Sequence, residues 1–494
     1  MNDGYIASID IGTTAVKGLL IDRAGNPHGE ISVPLETMRN ERGWIEQDPE
    51  DWWSAVVRIG RAWKQSGHAA SIRCLAFSGQ MQDLIATDAE GRALRPAILY
   101  SDGRAGLEAR EVKERLSEAD IRAVTGNHFD GTFPLAKILW LRRHEPDVFR
   151  KARWFLFGSK DPVILRLTGR AVADPTTGAT TGLMDIRARQ WAEKWLDALD
   201  LSAGVLPDIV APREAAGSVQ PGAAEETGFP AGIPVLAGVG DAGASTLGAG
   251  VMSEGELYTY LGTTGWVAAY VREPVQAVSG LFHLAHPGDG GFIATAPVFS
   301  AGGVHRWAVG ALASGPDDYA GFERLAAASR RERNPVLFLP YLGGERCPVQ
   351  DPGATGVFLG LTMNVSKEDL AAAALEGLSM AIRQVRDLLL PDGRPDEMTV
   401  VGGGGRSAMW MQILADVTGT SILVPANAQF LPALGAASLG FVHLGWSADF
   451  ARFRSDILRN AAAERRTPNP ALSAHYGAKY AKYCRIYETV KPLM

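Results

Sequence analysis

Residues 5–22 read YIASIDIGTTAVKGLLID: two apolar, strand-prone runs joined by Gly12-Thr13-Thr14, the pattern of a hairpin with a short turn. The turn returns. IGTT at 11–14 is matched by LGTT at 261–264, again between apolar segments, Tyr258–Leu261 before it and Trp266–Val271 after it. The offset of 250 residues is about half of the 494-residue chain, so it suggests two related domains, whereas solenoids repeat every ~20–50 residues. Between the copies, strand signals alternate with helix signals, which implies an α/β fold whose sheets are covered by helices.

The helix signals have marked starts. Asp48 can cap a helix running to about Gln65, with Pro49, Glu50 and Asp51 in its first turn and Trp52, Val56, Ile59 and Trp63 at helical spacing. Ser366 can cap Lys367–Leu390, with Asp369 three residues on and Pro391 closing it. A strand at Met398–Val401 runs through GGGGRS into a helix at Ala408–Thr418. Gly and small residues cluster at 243–256, and the reading is an N-terminal domain over 1–245 and a C-terminal domain over 246–494.

Composition narrows the function. With 46% hydrophobic and 21% charged residues the chain is an ordinary globular one, and a formal charge of −6 argues against nucleic acid or an anionic membrane as the main partner. Cys74, Cys347 and Cys484 are scattered, with no CxxC pair, so neither a disulfide framework nor a zinc site is indicated. No secretory signal opens the chain and no apolar run is long enough for a membrane span, so a cytoplasmic protein is expected. A homodimer is the default oligomer.

Four motifs carry chemistry. IDIGTTAVK (9–17) suits phosphate: Gly12, Thr13 and Thr14 offer backbone N–H groups and hydroxyls, Asp10 precedes them, and Lys17 adds charge. A single copy would read as an ordinary turn with a surface lysine; the second copy, at Gly262, Thr263 and Thr264, favours phosphate. In GVGDAGAS (238–245) Asp241 follows an apolar strand at Ile233–Ala237, where a carboxylate can take a proton from an attacking hydroxyl. Alone, Gly-Asp is more often a turn or a helix cap. VGGGGRSAMWMQILADVTG (401–419) offers bare backbone that can pack against a nucleotide, or merely a flexible connection. SGQMQD (78–83) and YSDGR (100–104) are loops past strands, where α/β ligands bind, though in isolation a solvated loop and a core methionine explain them better.

In order and spacing, DIGTTAVK, WIEQDPEDWW (44–53), SGQM, PAILYSDGR (96–104), TGN (125–127), SKD (159–161), GDAGA (240–244), YLGTTG, FLPYLGGER (338–346), GVFLGL (356–361) and GGGGRSAMWMQILADVTG resemble the FGGY family of carbohydrate kinases, relatives of actin, hexokinase and heat-shock chaperones. The resemblance implies two actin-like (ribonuclease H-like) α/β domains with the active site in the cleft between them. It also implies ATP and Mg2+ as cofactors and a small sugar as substrate. Within the family the EQDPEDWW run and the GQM and DGR loops are most similar to xylulokinases, which implies phosphorylation of D-xylulose on its 5-hydroxyl. By the same resemblance Asp241 is the catalytic base, and Asp10 and Asp241 hold the magnesium. Gly12, Thr13, Thr14, Lys17, Gly262, Thr263 and Thr264 face phosphate; Gly403, Gly404, Ser407 and Gln412 surround the adenosine. Met81, Gln82 and Asp102, with Asp241, border the sugar.

Three positions depart from the xylulokinase pattern: Gln82-Asp83 stands where GQMHG would have His-Gly, Tyr100-Ser101 where Trp would precede NDGR, and Ala242 where Asn would follow the base. All lie on the sugar side, which keeps kinases for another pentulose, a polyol or an autoinducer-type substrate as alternatives. A chaperone-like ATPase would need a separate peptide-binding domain, and the repeat uses up the chain.

Overall fold

The computed structural model describes residues 4–275, 280–288, 290–391, 393, 395–426, 428–459 and 463–494. It divides into two compact units. The first comprises Met1–Met252, His283–Ile293 and Phe430–Asn460; the second comprises Ser253–Phe282, Ala294–Gln429 and Ala461–Met494.

In the first unit β1 (Tyr5–Ile11), β2 (Ala15–Asp22) and β3 (Pro27–Pro34) form an antiparallel meander. β4 (Ile72–Gly79) lies parallel on the other side of β1, and β5 (Ala215–Ser218) and β6 (Pro234–Leu236) extend the sheet in the order β5-β6-β4-β1-β2-β3. The short β7 (Val239–Gly240) also runs parallel to β4. Helix α1 (Pro49–Gln65) is capped by Asp48, whose side chain accepts the Glu50 N–H at 3.0 Å, and it buries Trp52, Val56, Ile59 and Trp63, the four residues read at helical spacing. Helix α2 (Pro134–His144) is buried along its first two turns, Pro134 through Leu141. Helix α3 (Asp241–Gly248) follows β7 directly, so small residues that could have passed for a linker form a helix.

The helix Leu431–His443, drawn from late in the chain, completes this unit. Ser8 Oγ donates to Ala433 O at 2.8 Å, and Gly440 lies against Cys74 and Ile6. Against α3 the approach is closer still: a Cβ on Gly435 would overlap Ala244 O, and one on Gly248 would overlap Leu431 O. Only glycine leaves room for backbone to meet backbone there.

The second unit repeats the hairpin plan. β8 (Leu257–Leu261) and β9 (Gly265–Val271) pair antiparallel around Gly262–Thr264, as β1 and β2 pair around Gly12–Thr14. Helices α4 (Gly302–Leu312) and α5 (Lys367–Leu389) follow; α5 has the expected capping box between Ser366 and Asp369 and ends one residue before the expected Leu390. β10 (Glu397–Val401) runs parallel to β8, as β4 does to β1. Helix α6 (Ala408–Thr418) has the expected bounds, and β11 (Ser421–Pro425) and β12 (Ala463–Arg466) complete the row. Both units are therefore an antiparallel hairpin flanked by a parallel strand on its first strand's free side.

The glycine contact between α3 and the helix Leu431–His443 can be tested by Gly435→Ala. Helix propensity alone would favour alanine by about 1 kcal/mol. Overlap with the Ala244 carbonyl should override that and destabilise the first unit by a net ~1–3 kcal/mol. Thermal unfolding measures it, and an unchanged or higher melting temperature would contradict the contact.

Candidate active site

The first unit gathers its chemistry at the carboxyl ends of parallel strands, where α/β folds bind ligands. Register does this: Asp10 pairs with Ser78, Ser78 with Val239, and Gly79 with Gly240, so the last residues of β1, β4 and β7 stand side by side. Ser78 Oγ donates to Asp10 Oδ1 at 2.7 Å. Asp241, the first residue of α3, follows at once and accepts the Ala242 N–H at 2.7 Å. Burial raises the Asp10 carboxyl, against the Ser78 hydrogen bond and the charge of Lys17. Burial first, and then the charge on Asp10, push Asp241 to about 7. A carboxyl poised there suits a general base working near neutrality.

The hairpin turn is fastened to this edge. Gly12 N–H donates to Ala15 O at 3.2 Å, Thr13 Oγ1 donates to Gln80 Oε1 at 2.9 Å, and Thr13 O accepts from Gln47 Nε2 at 2.6 Å. Gln80 Nε2 donates in turn to Gln47 Oε1 at 2.8 Å, and Ser159 Oγ holds Ile11 O at 2.7 Å. Thr14 and Lys17 are exposed, and Gly12 and Thr13 are half-buried, so the turn keeps an open face.

The loop after β4 lies on the same side as Asp241. A Cβ on Gly240 would overlap the Met81 sulfur, which therefore covers the residue just before the carboxylate. Gln82 has φ 67°, in the left-handed region uncommon for non-glycine residues, and strain of this kind concentrates at functional sites. Its Nε2 donates to Thr132 Oγ1 at 2.9 Å, and Thr132 Oγ1 donates to Asp130 Oδ1 at 2.6 Å.

Asp102 is fully buried and already engaged. It accepts from Ile45 N–H at 2.6 Å and from the Arg104 backbone and guanidinium at 2.6–2.9 Å. Burial alone would raise its carboxyl; the Arg104 bonds outweigh that and hold it below its ordinary value. Arg104 lies over the Trp44 and Trp140 rings at 4.2 and 5.0 Å. Asp102 thus anchors Arg104 within the protein.

In the second unit Gly262 is half-buried and Thr263 and Thr264 are exposed. The first N–H groups of α4 hold this turn: Gly302 donates to Gly262 O at 2.9 Å and Gly303 to Thr263 O at 2.8 Å. Gly402, at φ 95°, passes against the end of β8, 2.8 Å from Leu261 O by its would-be Cβ, and the run continues as a tight turn at Gly403–Arg406. A cavity of about 480 Å³ opens there, lined by Gly402, Gly403, Gly405 and Arg406 on one side and by 424–426, Ala428, Gln429, Ala463 and Glu464 on the other. Its volume is within the usual range for small-molecule sites. Gly403 lines it, while Gly404 packs on Leu261 and Trp410. Ser407 instead caps α6 and donates to Glu323 at 2.6 Å, and Gln412 donates to Asp416 and to Thr467 O, both at 3.0 Å.

Residues 5–248 match the FGGY family of carbohydrate kinases, N-terminal domain, and residues 257–444 match the C-terminal domain of the same family. The chain belongs to the FGGY carbohydrate kinases. It is 33% identical to the xylulose kinase of Escherichia coli K12 over 98% of this chain and 99% of that one. Among solved structures, the ligand-bound xylulose kinase of Lactobacillus acidophilus superposes with a TM-score of 0.88 at 28% identity, covering 99% of this chain and 98% of that one. A gluconate kinase from the same organism gives the same TM-score and identity over 98% of each chain. The protein is therefore a two-unit, actin-like α/β sugar kinase, an enzyme of carbohydrate metabolism whose family uses ATP. No described helix is long and apolar enough to cross a membrane.

The residues present also fit a divalent cation. Among the described residues no group of three or more His, Cys, Asp or Glu could hold a metal. Mg2+ needs fewer protein ligands, usually one or two carboxylates beside substrate phosphates. Asp10 and Asp241 supply two carboxylates whose mutual repulsion a cation would relieve.

Sequence reading reached Asp10, Asp241 and both Gly-Thr-Thr turns but assigned no role to Ser78, Gln80, Gln47, Ser159 or Thr132. Four of these stand in quoted motifs, Ser78 and Gln80 in SGQM, Gln47 in EQDPEDWW and Ser159 in SKD, but the motifs do not show the contacts these side chains make.

Packing of Met81 over Gly240 yields a test. Gly240→Ala should displace the Met81 thioether and lower sugar-phosphorylating turnover per folded molecule by about tenfold, a 1.4 kcal/mol effect, while adding Met81→Ala should restore much of the loss. Coupled-assay rates with matched circular dichroism check both. Full activity of Gly240→Ala would show that the overlap does not matter.

Proposed function

We propose that the protein transfers the γ-phosphoryl group of ATP to the 5-hydroxyl of D-xylulose. The observation that carries the chemistry is Asp241 at the start of α3, beside Asp10 and raised to about 7. Likeness to xylulose kinases over nearly the whole chain supports the sugar. In this reading Asp241 accepts the hydroxyl proton as the oxygen attacks phosphorus. Met81 and Gln82 border the sugar, and Asp102 acts on that side by anchoring Arg104. Gly12, Thr13, Thr14 and Lys17 form the phosphate loop of the first unit, and Gly262, Thr263 and Thr264 that of the second. The bare backbone at Gly403 takes the adenosine, with Gly404 packed behind it and Ser407 and Gln412 stiffening the following helix. A magnesium ion held by Asp10 and Asp241 would neutralise charge on the phosphates. Three free cysteines suit a reducing cytoplasm.

Asp241→Asn keeps size but cannot take the proton, so kcat should fall about 10²-fold or more with nucleotide binding retained. Sugar-stimulated ADP release and nucleotide titration check this; near-normal turnover would sink the assignment. A panel of D-xylulose, other pentuloses, polyols and D-gluconate should give the highest kcat/KM for D-xylulose, and a clear preference for D-gluconate would replace it. Across the same panel Gln82→Ala should change the ratio of kcat/KM between the best and second-best sugars by roughly tenfold. An identical preference would remove the loop 80–83 from the sugar side.

A further inference from the structure

Lysine is almost never fully buried unless paired, because its charge is costly to desolvate. Lys137 is fully buried, on the innermost stretch of α2. Its Nζ donates to Leu99 O at 2.8 Å and to Gln82 O at 3.1 Å. These carbonyls belong to different loops. Leu99 leads into Tyr100–Arg104, and Gln82 stands beside Met81, over the residue before Asp241. In its left-handed conformation Gln82 directs its side chain to Thr132 and its carbonyl to Lys137.

A second observation comes from Asp83. It is fully buried; its Oδ1 accepts the Tyr100 N–H at 2.9 Å, while its Oδ2 has no hydrogen-bond partner among the described residues. Burial raises its carboxyl well above the ordinary value, and Lys137 is the strongest charge acting against that. Burial correspondingly lowers the Lys137 ammonium, opposed by Asp83, Asp102 and Asp130 and reinforced by Arg104. One ammonium therefore joins α2 to both loops and compensates the carboxylate between them.

We propose that Lys137 is a positioning residue for the acceptor sugar, holding the loops at Gln82 and at Leu99–Arg104 in one arrangement and so setting the sugar KM without touching the sugar. The inference rests on the reading that these loops form the sugar side. Pure fold maintenance would predict a different outcome on mutation: loss of folded protein, with the surviving fraction kinetically normal. Positioning predicts a defect that remains in folded protein and falls on one substrate.

Lys137→Met keeps the apolar stem and removes the donors and the charge. It should raise the KM for the best sugar about tenfold or more, with the KM for ATP within about twofold and kcat less affected. Adding Asp83→Asn removes the buried carboxyl on which Lys137 acts. The double variant should regain thermal stability but keep the high sugar KM, since the Lys137 bond that joins Gln82 O to Leu99 O is still missing, although Leu99 O keeps the Asp102 N–H at 2.9 Å. Should the single variant fail to fold, the double variant carries the same measurement. A normal sugar KM in either folded variant, recovery of KM together with stability, or parallel loss for sugar and ATP would overturn the proposal. If neither variant folds, Lys137 is a folding residue and the proposal fails. Altered preference in Gln82→Ala with a normal sugar KM in Lys137→Met would defeat this inference alone; unaltered preference in Gln82→Ala would defeat the sugar-side reading beneath it.

Discussion

Parallel pairing of β1 with β4, continued from β4 to β7, is the constraint on which the site depends. Side chains in a strand alternate between faces, so a slip of one residue in either pairing would turn Asp10 away from Ser78 and move Gly240 off Gly79. Asp241, the proposed catalytic base, is the next residue along. Its environment is thus inherited from backbone hydrogen bonds between segments that lie more than sixty residues apart in sequence. Buried apolar residues of β1 and β4, with α1 packed against them, make the slip costly, and the glycines at 79 and 240 keep the strand ends narrow enough for their neighbours to meet.

Much of this was legible. The caps of α1 and α5, the bounds of α6 and the two hairpin turns follow from local chemistry: a side chain satisfying a free N–H, an apolar stripe, a turn of small residues. The repeat was legible because both turns keep the same three residues, and the structure gives each the same setting, a hairpin with a parallel strand beside it. The FGGY resemblance rested on such turns and on their order, and the family match covers both halves.

What escaped was nonlocal. Gln80 reads as one polar residue in a loop, and nothing near it in sequence says that its amide bridges Thr13 and Gln47. Lys137 sits in PLAKILWLRRH, and a lysine on a helix is ordinarily a solvated residue; only the fold closes protein around it. Ser407 and Gln412 illustrate the converse. They lie in a motif that suits a nucleotide, yet their side chains are committed to Glu323, Asp416 and the Thr467 carbonyl. A motif names the neighbourhood, and hydrogen bonds decide which of its members face outward.

The helix Leu431–His443 carries a consequence for how the chain is made. It packs on β1 and β4 through Ser8, Ile6 and Cys74 and locks onto α3 by backbone contact at Gly248 and Gly435. A ribosome releases β1 first and this helix more than four hundred residues later. Until then the first unit lacks the cover over one face of its sheet and over the helix that bears Asp241. Vectorial folding, in which each domain closes as it emerges, is therefore denied to this unit. The nascent chain must shield an apolar surface through most of its own synthesis, and the enzyme becomes competent only as its last segments arrive.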